Sequence, residues 1–151
     1  MKVLMVCLGN ICRSPLAEGI LKDKIEKQAL PWQVDSAGTG DYHVGELPDS
    51  RSIDVAKKYN IDITYQRARQ FKTRDFTDFD LILVMDASNY RNVVNLARND
   101  EDINKVQLIM NVLEPGQNIE VPDPYWNNDG FEQVYTMLDK ACDSLIERHQ
   151  D

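Results

Sequence analysis

Residues 3–15 read Val3-Leu4-Met5-Val6-Cys7-Leu8-Gly9-Asn10-Ile11-Cys12-Arg13-Ser14-Pro15. The continuous apolar run Val3 to Val6 predicts a buried strand. Beyond Pro15, Leu16, Ala17, Ile20, Leu21 and Ile25 recur at helical spacing. Pro15 suits the first turn of that helix, where a missing N–H costs nothing, and Ser14 suits its cap. Cys7 to Pro15 therefore reads as a strand-loop-helix turn whose backbone N–H groups face one concavity. A nest of that kind, at the positive end of a helix, holds a phosphate-like dianion.

The side chains of the loop set it apart from a nucleotide-binding loop, which would end in Gly-Lys-Ser/Thr. Here Cys7 opens the loop and Arg13 closes it. The thiolate is the reactive form of cysteine, and a helix N-terminus with a nearby cation brings thiol pKa values down to roughly 3.5–7.5. Arg13 offers a planar fork that holds two phosphoryl oxygens at once, which lysine cannot do. Ser14 can donate to the thiolate, and Asn10 can pin the loop backbone. A buried strand-end cysteine beside a surface arginine would give the same bare spacing. The flanking strand, the Gly9-Asn10 turn and the Ser14-Pro15 helix start are what point to a nucleophile in an anion cradle.

The 151 residues suffice for one domain, residues 1–151, with a proper core. At 42% hydrophobic and 28% charged the chain is globular. A net charge of −8 supplies no basic stripe for a nucleic-acid backbone, so no nucleic-acid partner is expected and anion binding must be local to Arg13. No apolar run approaches the ~18 residues of a membrane span. One lysine precedes the strand and loop, so no cleavable signal peptide fits without destroying the site. The three cysteines are an odd number and make no disulfide framework. With Cys7 needed as a thiolate, a reducing cytoplasm is the expected setting. Cys7 and Cys12 share one tight loop, so a reversible bridge under oxidation is an available state. Cys142 falls in line with Val134, Tyr135, Leu138, Ala141, Leu145 and Ile146 and reads as core.

Further along the chain, Leu81 to Met85 and Val106 to Met110 are continuous apolar runs like the first, the mark of parallel strands buried on both faces. A weaker strand runs from Gln33 to Ala37. Helical patterns lie near Pro15 to Gln28, Ser50 to Tyr59 and Ser88 to Asn99, with a last helix from about Gly130 to Arg148. Alternating strands and helices predict an α/β doubly wound, three-layer fold. Cys7 then ends the first strand, Ser36 the second and Asp86 the third, while Asp123 follows the fourth. Ligands of open α/β sheets bind at these carboxyl ends, so the candidates converge on one site.

Pro122-Asp123-Pro124-Tyr125-Trp126 is the second informative stretch. A residue before proline is pushed out of the helical region, which holds Asp123 on a stiff, extended backbone. By itself such a turn is ordinary. Tyr125 and Trp126 fit a core or a contact surface. Tyr42 stands in the loop Gly40-Asp41-Tyr42-His43-Val44. His43 reads as a solvated loop histidine and His149 as a frayed terminal one. Neither has companions at ligand spacing, so no metal is assigned. For Glu18 and Asp86, near helix starts, capping is the plain reading.

Cys7 to Pro15 resembles the signature loop of the low-molecular-weight protein tyrosine phosphatases. The likeness extends over essentially the whole chain through Asp35-Ser36-Ala37-Gly38-Thr39, Ala68-Arg69-Gln70, Met85-Asp86-Ala87-Ser88-Asn89 and Asp123-Pro124-Tyr125, in the family's order. It implies four parallel strands in flavodoxin-like order 2-1-3-4. It also implies a cofactor-free protein-tyrosine phosphatase acting on tyrosine-phosphorylated proteins, with Cys7 as nucleophile, Arg13 as phosphate clamp and Asp123 as general acid and base. Leu8, Gly9, Asn10, Ile11, Cys12 and Ser14 would complete the phosphate loop, and Tyr42, Tyr125 and Trp126 the walls of a deep aryl cleft. Ser36 and Asp86 would brace the site. Many relatives carry histidine where this chain has Gln66, which can donate and accept but cannot titrate.

Three rivals share features with this reading. Thioredoxin-coupled arsenate reductases need two further cysteines after the third strand, and residues 86 to 106 contain none. Protein-arginine phosphatases of the same family typically carry threonine at Ile11 and lack the tyrosine after Asp-Pro. A catalytically dead phosphotyrosine-binding module would tend to lose Cys7 or Asp123, and both are present.

Overall fold

Strand β1 (Lys2–Cys7) is buried on both faces from Val3 onward, and the sheet grows outward from it on both sides. The computed structural model describes residues 1–149. The remaining strands are β2 (Gln33–Gly38), β3 (Leu81–Val84) and β4 (Val106–Leu108). All pairings are parallel, in the order β2-β1-β3-β4, with Val3 beside Val34 on one side and Leu81 on the other. This is the 2-1-3-4 order.

Because strand side chains alternate, the two faces take different residues. Val3, Met5, Cys7, Leu83 and Met85 face one cluster, which includes Leu16, Ala17, Ile20 and Leu21 from α1 (Arg13–Lys27). Val55 and Ala56 of α2 (Ser50–Lys58) join it, as do Val134, Leu138, Ala141 and Leu145 of the last helix. Leu4, Val6, Ile82 and Val84 face the other cluster. There they meet Phe76 of α3 (Asp75–Asp78) and Val93 of α4 (Ala87–Val94). The continuous apolar runs thus reflect helices on both sides. After β4 come α6 (Met110–Leu113), a 3₁₀ turn (Pro124–Trp126) and α7 (Gly130–His149); the short α5 (Asp100–Asn104) precedes β4.

Several boundaries differ from the sequence reading. The fourth strand stops at Leu108 because Ile109 turns helical (φ −58°, ψ −37°) and begins α6. The helix expected over Ser88 to Asn99 stops at Val94, and a further helix, α5, follows beyond it, capped by the side chain of Asn99, which accepts from Asp102 N at 2.9 Å. An asparagine side chain that takes a backbone N–H in this way starts a helix rather than continuing one. Ser36 does not end β2, which runs on to Gly38, where it pairs with Cys7 and bridges Gln70. His149 is the last residue of α7, its ring edge-on to Trp32 at 6.2 Å, rather than frayed. Cys142 is fully buried in the core, and burial pushes its thiol up to about 12.

Gly19, inside α1, shows how tightly α1 meets the segment before residue 66. A Cβ there would lie 2.4 Å from Ile63 Cγ2 and 3.2 Å from Ile61 Cγ2, and Ile63 is fully buried. Alanine in a helix interior is ordinarily worth ~1 kcal/mol over glycine. Overpacking a core costs roughly 1–3 kcal/mol. Gly19→Ala is therefore expected to lower the urea midpoint; a raised midpoint would mean that Ile63 yields without strain.

Candidate active site

The loop between β1 and α1 is held by Asn10. Its backbone is left-handed (φ 56°), a conformation asparagine tolerates better than most side chains. Its Oδ1 accepts from the Arg69 N–H at 3.0 Å, which fixes the amide orientation. Its Nδ2 then donates to Ser14 Oγ at 2.7 Å and Ser36 Oγ at 3.0 Å. Each serine oxygen already receives a proton from Asn10, so its own hydroxyl proton is turned elsewhere. That of Ser36 goes to Glu18 Oε1 at 2.7 Å, and that of Ser14 has Cys7 Sγ at 3.0 Å. Ala37 O, at 3.5 Å, is a poorer acceptor for it. Asn10 thus ties the loop to neighbouring segments rather than to its own backbone.

Gly38 allows the loop to lie this close to β2. A Cβ there would stand 2.7 Å from Leu8 O and 3.1 Å from Asn10 N. Thr39 N and Gly40 N bond Cys7 O and Leu8 O, both at 2.9 Å.

Ser14 is not the helix cap. Cys12 occupies that position, and no described side chain caps α1. The first-turn N–H groups of α1 are left facing the loop, where an anion can take them. Burial first, then the nearby Asp49, Cys7 and Asp123, push the Cys12 thiol up to about 12.

Arg13 is 2% exposed, and its Nη1 donates to Asp86 Oδ2 at 2.7 Å and Val121 O at 2.9 Å. Burial opposes its charge, but Cys7, Asp86 and Asp123 together more than offset that and raise its pKa. Asp86 does two jobs: Oδ1 caps α4 through Asn89 N at 2.8 Å while Oδ2 holds Arg13. Arg13 Nη2 lies 3.8 Å from Asp123 Oδ2. Asp123 sits on extended backbone (φ −80°, ψ 112°) before Pro124, with its Oδ1 accepting from Tyr125 N at 3.0 Å.

Cys7, Leu8, Gly9, Ile11, Cys12 and Arg13 line one cleft of about 290 Å³, together with Tyr42, His43, Asp123, Tyr125 and Trp126. Tyr42 and Trp126 are 73% and 86% exposed, and Tyr125 meets Trp126 edge-on at 4.8 Å. Asn10, Ser14, Ser36 and Asp86 stand behind the lining, touching it through the bonds above.

His43 is a wall rather than a solvated loop residue. Its ring is 6.4 Å from that of Tyr125, it packs against Gly9, and its Nδ1 lies 2.7 Å from Glu46 Oε2. Its place next to Tyr42 was the available signal. Glu18 is not a cap; it is buried, bonded by Ser36 and by the Tyr65 hydroxyl at 2.7 Å. Burial raises its pKa, against the pull of those two bonds. Gln66 donates to Pro15 O at 3.0 Å and places Oε1 3.4 Å from Ser36 Oγ. Sequence reading missed the roles of Glu18, Tyr65 and Arg69 because each acts through a partner far away in the chain.

The arrangement sets a thiol beside a hydroxyl donor, a buried guanidinium and a carboxyl, at an uncapped helix N-terminus. It suits attack on a phosphoryl group. Among the described residues no group of three or more His, Cys, Asp or Glu side chains is placed to hold a metal ion, and no helix is long and apolar enough to cross a membrane.

Comparisons with known proteins agree with the geometry. The profile of the family described as low molecular weight phosphotyrosine protein phosphatase matches residues 2–151. The Schizosaccharomyces pombe protein of that name is 44% identical over 141 residues, 91% of this chain and 89% of that one. The human protein of that name is 38% identical over 150 residues, 97% of this chain and 94% of that one. Among solved structures, a protein tyrosine phosphatase from Entamoeba histolytica superposes with a TM-score of 0.91 at 37% identity, covering 98% of this chain and 96% of that one. The Drosophila arginine phosphatase gives 0.93 at 33% identity, covering 100% and 99%. With residues 2–151 matched and Cys7, Arg13 and Asp123 lining one cleft, this chain belongs to the low molecular weight phosphotyrosine protein phosphatase family of hydrolases.

Proposed function

We propose that the chain, as a single phosphatase domain, hydrolyses phosphotyrosine in proteins with Cys7 as nucleophile, Arg13 as clamp and Asp123 as acid and base. The observation that carries this reading is that these three side chains line one cleft walled by Tyr42, Tyr125 and Trp126. The loop N–H groups and the Arg13 fork take the phosphoryl oxygens. Cys7 thiolate attacks phosphorus in line, forming an S–P bond as the P–O bond to the ring breaks. Asp123 gives its proton to the departing phenolate. Water then attacks phosphorus, its proton passes to Asp123, the S–P bond breaks, and the Ser14 hydroxyl meets the returning thiolate. Fixed dipoles and Arg13 match the charge on the equatorial oxygens without reorganising, which is where most of the acceleration arises. Three free cysteines, one of them the nucleophile, suit a reducing cytoplasm.

The likeness to an arginine phosphatase raises a second reading, protein-arginine dephosphorylation. Ile11 and Tyr125, both in the cleft lining, favour a flat aryl ring over a polar guanidinium. Steady-state kinetics on matched peptides decide between them. Phosphotyrosine is expected to give the higher kcat/KM, and a preference for phosphoarginine would overturn the tyrosine assignment.

Cys7→Ser should abolish turnover while inorganic phosphate still binds, since the loop and Arg13 survive the change. The same variant should take up no iodoacetamide at pH 7 while folded. Cys12 and Cys142 are both buried, and burial is the main cause that pushes their thiols up. Residual turnover near wild type would remove Cys7 as nucleophile.

Asp123→Asn should lose roughly 10²–10⁴-fold in kcat/KM on substrates with poor leaving groups. Its loss should be far smaller on 2,4-dinitrophenyl phosphate, whose phenolate leaves without a proton. Equal losses on both would show that Asp123 is not the acid.

A further inference from the structure

Asp123 sits in a segment that is mostly exposed and mostly bonded to itself. Tyr125 N bonds Asp123, Asn127 N bonds Pro124 O, Asp129 N bonds Asn127 and Gly130 N bonds Asn127 O. A general acid needs a fixed position, because a displacement of 1 Å can cost on the order of 10²-fold in rate. Pro124 is buried, and Arg13 stands 3.8 Å from the carboxylate. Something must also hold the outer half of the segment.

Arg51, in the first turn of α2, reaches it. Its Nε and Nη2 donate to the two carboxylate oxygens of Asp49 at 3.0 and 2.9 Å. Its Nη1 donates to Asn128 Oδ1. Its guanidinium carbon lies 4.7 Å from the ring centroid of Phe131 and 5.5 Å from that of Tyr125, within cation–π range of both. Asp49 is itself tied to the phosphate loop, its N–H donating to Ile11 O at 2.8 Å. One planar group thus joins α2 and the phosphate loop, through Asp49, to the far side of the cleft.

We infer that Arg51 is a positioning residue, a latch that holds the segment carrying Asp123 and Tyr125 against α2 and so sets the acid over the thiol. The inference rests on the assignment of Asp123 as general acid. The latch needs arginine: lysine keeps the charge but has neither the fork for Asp49 and Asn128 nor the plane for two rings. Tyr125 is held by the same group, so the wall of the cleft and the acid move together.

The test is kcat/KM of the full-length protein on phenyl phosphate and on 2,4-dinitrophenyl phosphate. This parameter reports transfer to Cys7, the step in which the leaving group takes its proton. Arg51→Ala should lose roughly 10–10²-fold on phenyl phosphate, and several times less on the dinitrophenyl ester. Arg51→Lys should recover little of the difference. Asn128→Ala, which removes an exposed side chain at the other end of the latch, should steepen the leaving-group dependence in the same direction. It serves if Arg51→Ala does not fold. Asp123→Asn is the reference for full loss of the acid. Arg51 and Asn128 variants with wild-type leaving-group dependence, beside a steepened one in Asp123→Asn, would overturn the latch and spare the acid. No steepening in Asp123→Asn would overturn the acid assignment and the latch with it.

Discussion

One side-chain amide determines which way the protons point around the thiol. Asn10 accepts from the Arg69 N–H and so must present both amide protons to Ser14 and Ser36. Without that constraint, each serine could donate or accept freely, and the Ser14 hydroxyl would have no reason to aim at Cys7. With it, a donor stands 3.0 Å from the sulfur, and a hydrogen bond to a charged group is worth about 1.5–3 kcal/mol. The left-handed backbone at Asn10 and the bare Cα of Gly38 let the loop come close enough for this. The same network extends to Glu18, where donors from Ser36 and Tyr65 counter part of the effect of burial. Gln66 takes part through its amide N–H, which holds Pro15 O at the start of α1 without adding a titrating group.

Charge is handled just as locally. In a protein of net charge −8, the loop presents a single buried guanidinium, Arg13, at its end. Asp86 and Val121 O use up Nη1, which fixes the plane of Arg13 before any substrate arrives. The carboxylate that balances Arg13 is thus also the cap of α4, so the fold and the clamp share one side chain. Preorganisation of this kind removes a cost that would otherwise be met on binding.

The fold was largely legible because its signals are local. Continuous apolar runs at Val3 to Val6 and Leu81 to Met85 carry the pattern of strands covered on both sides, and the helix after Pro15 follows from its spacing. The order 2-1-3-4 came from likeness to a family rather than from the residues, since strand order is set by crossovers that leave little local trace. What the sequence hid was partnership across distance. Glu18 looks like a helix-start charge until Ser36 and Tyr65 close over it, and Arg51 looks like a surface arginine until Phe131 and Tyr125 lie beneath it. Ser14 was mistaken for a cap because the cap position and the position facing the thiol are two residues apart in the same turn. The early end of α4 leaves no mark in the sequence, since Leu96, Ala97 and Arg98 are all good helix formers by type.

A phosphatase working through Cys7 must pass through a covalent phosphoryl intermediate on that residue. Rapid acid quench of the Asp123→Ala protein during turnover of 2,4-dinitrophenyl phosphate, which transfers its phosphoryl group without an acid, followed by peptide mass spectrometry, reads it out. One phosphoryl group is expected on the peptide carrying Cys7, and it should be absent from the Cys7→Ser protein. A phosphoryl group on another residue, or turnover with none on the enzyme at any time, would contradict the account.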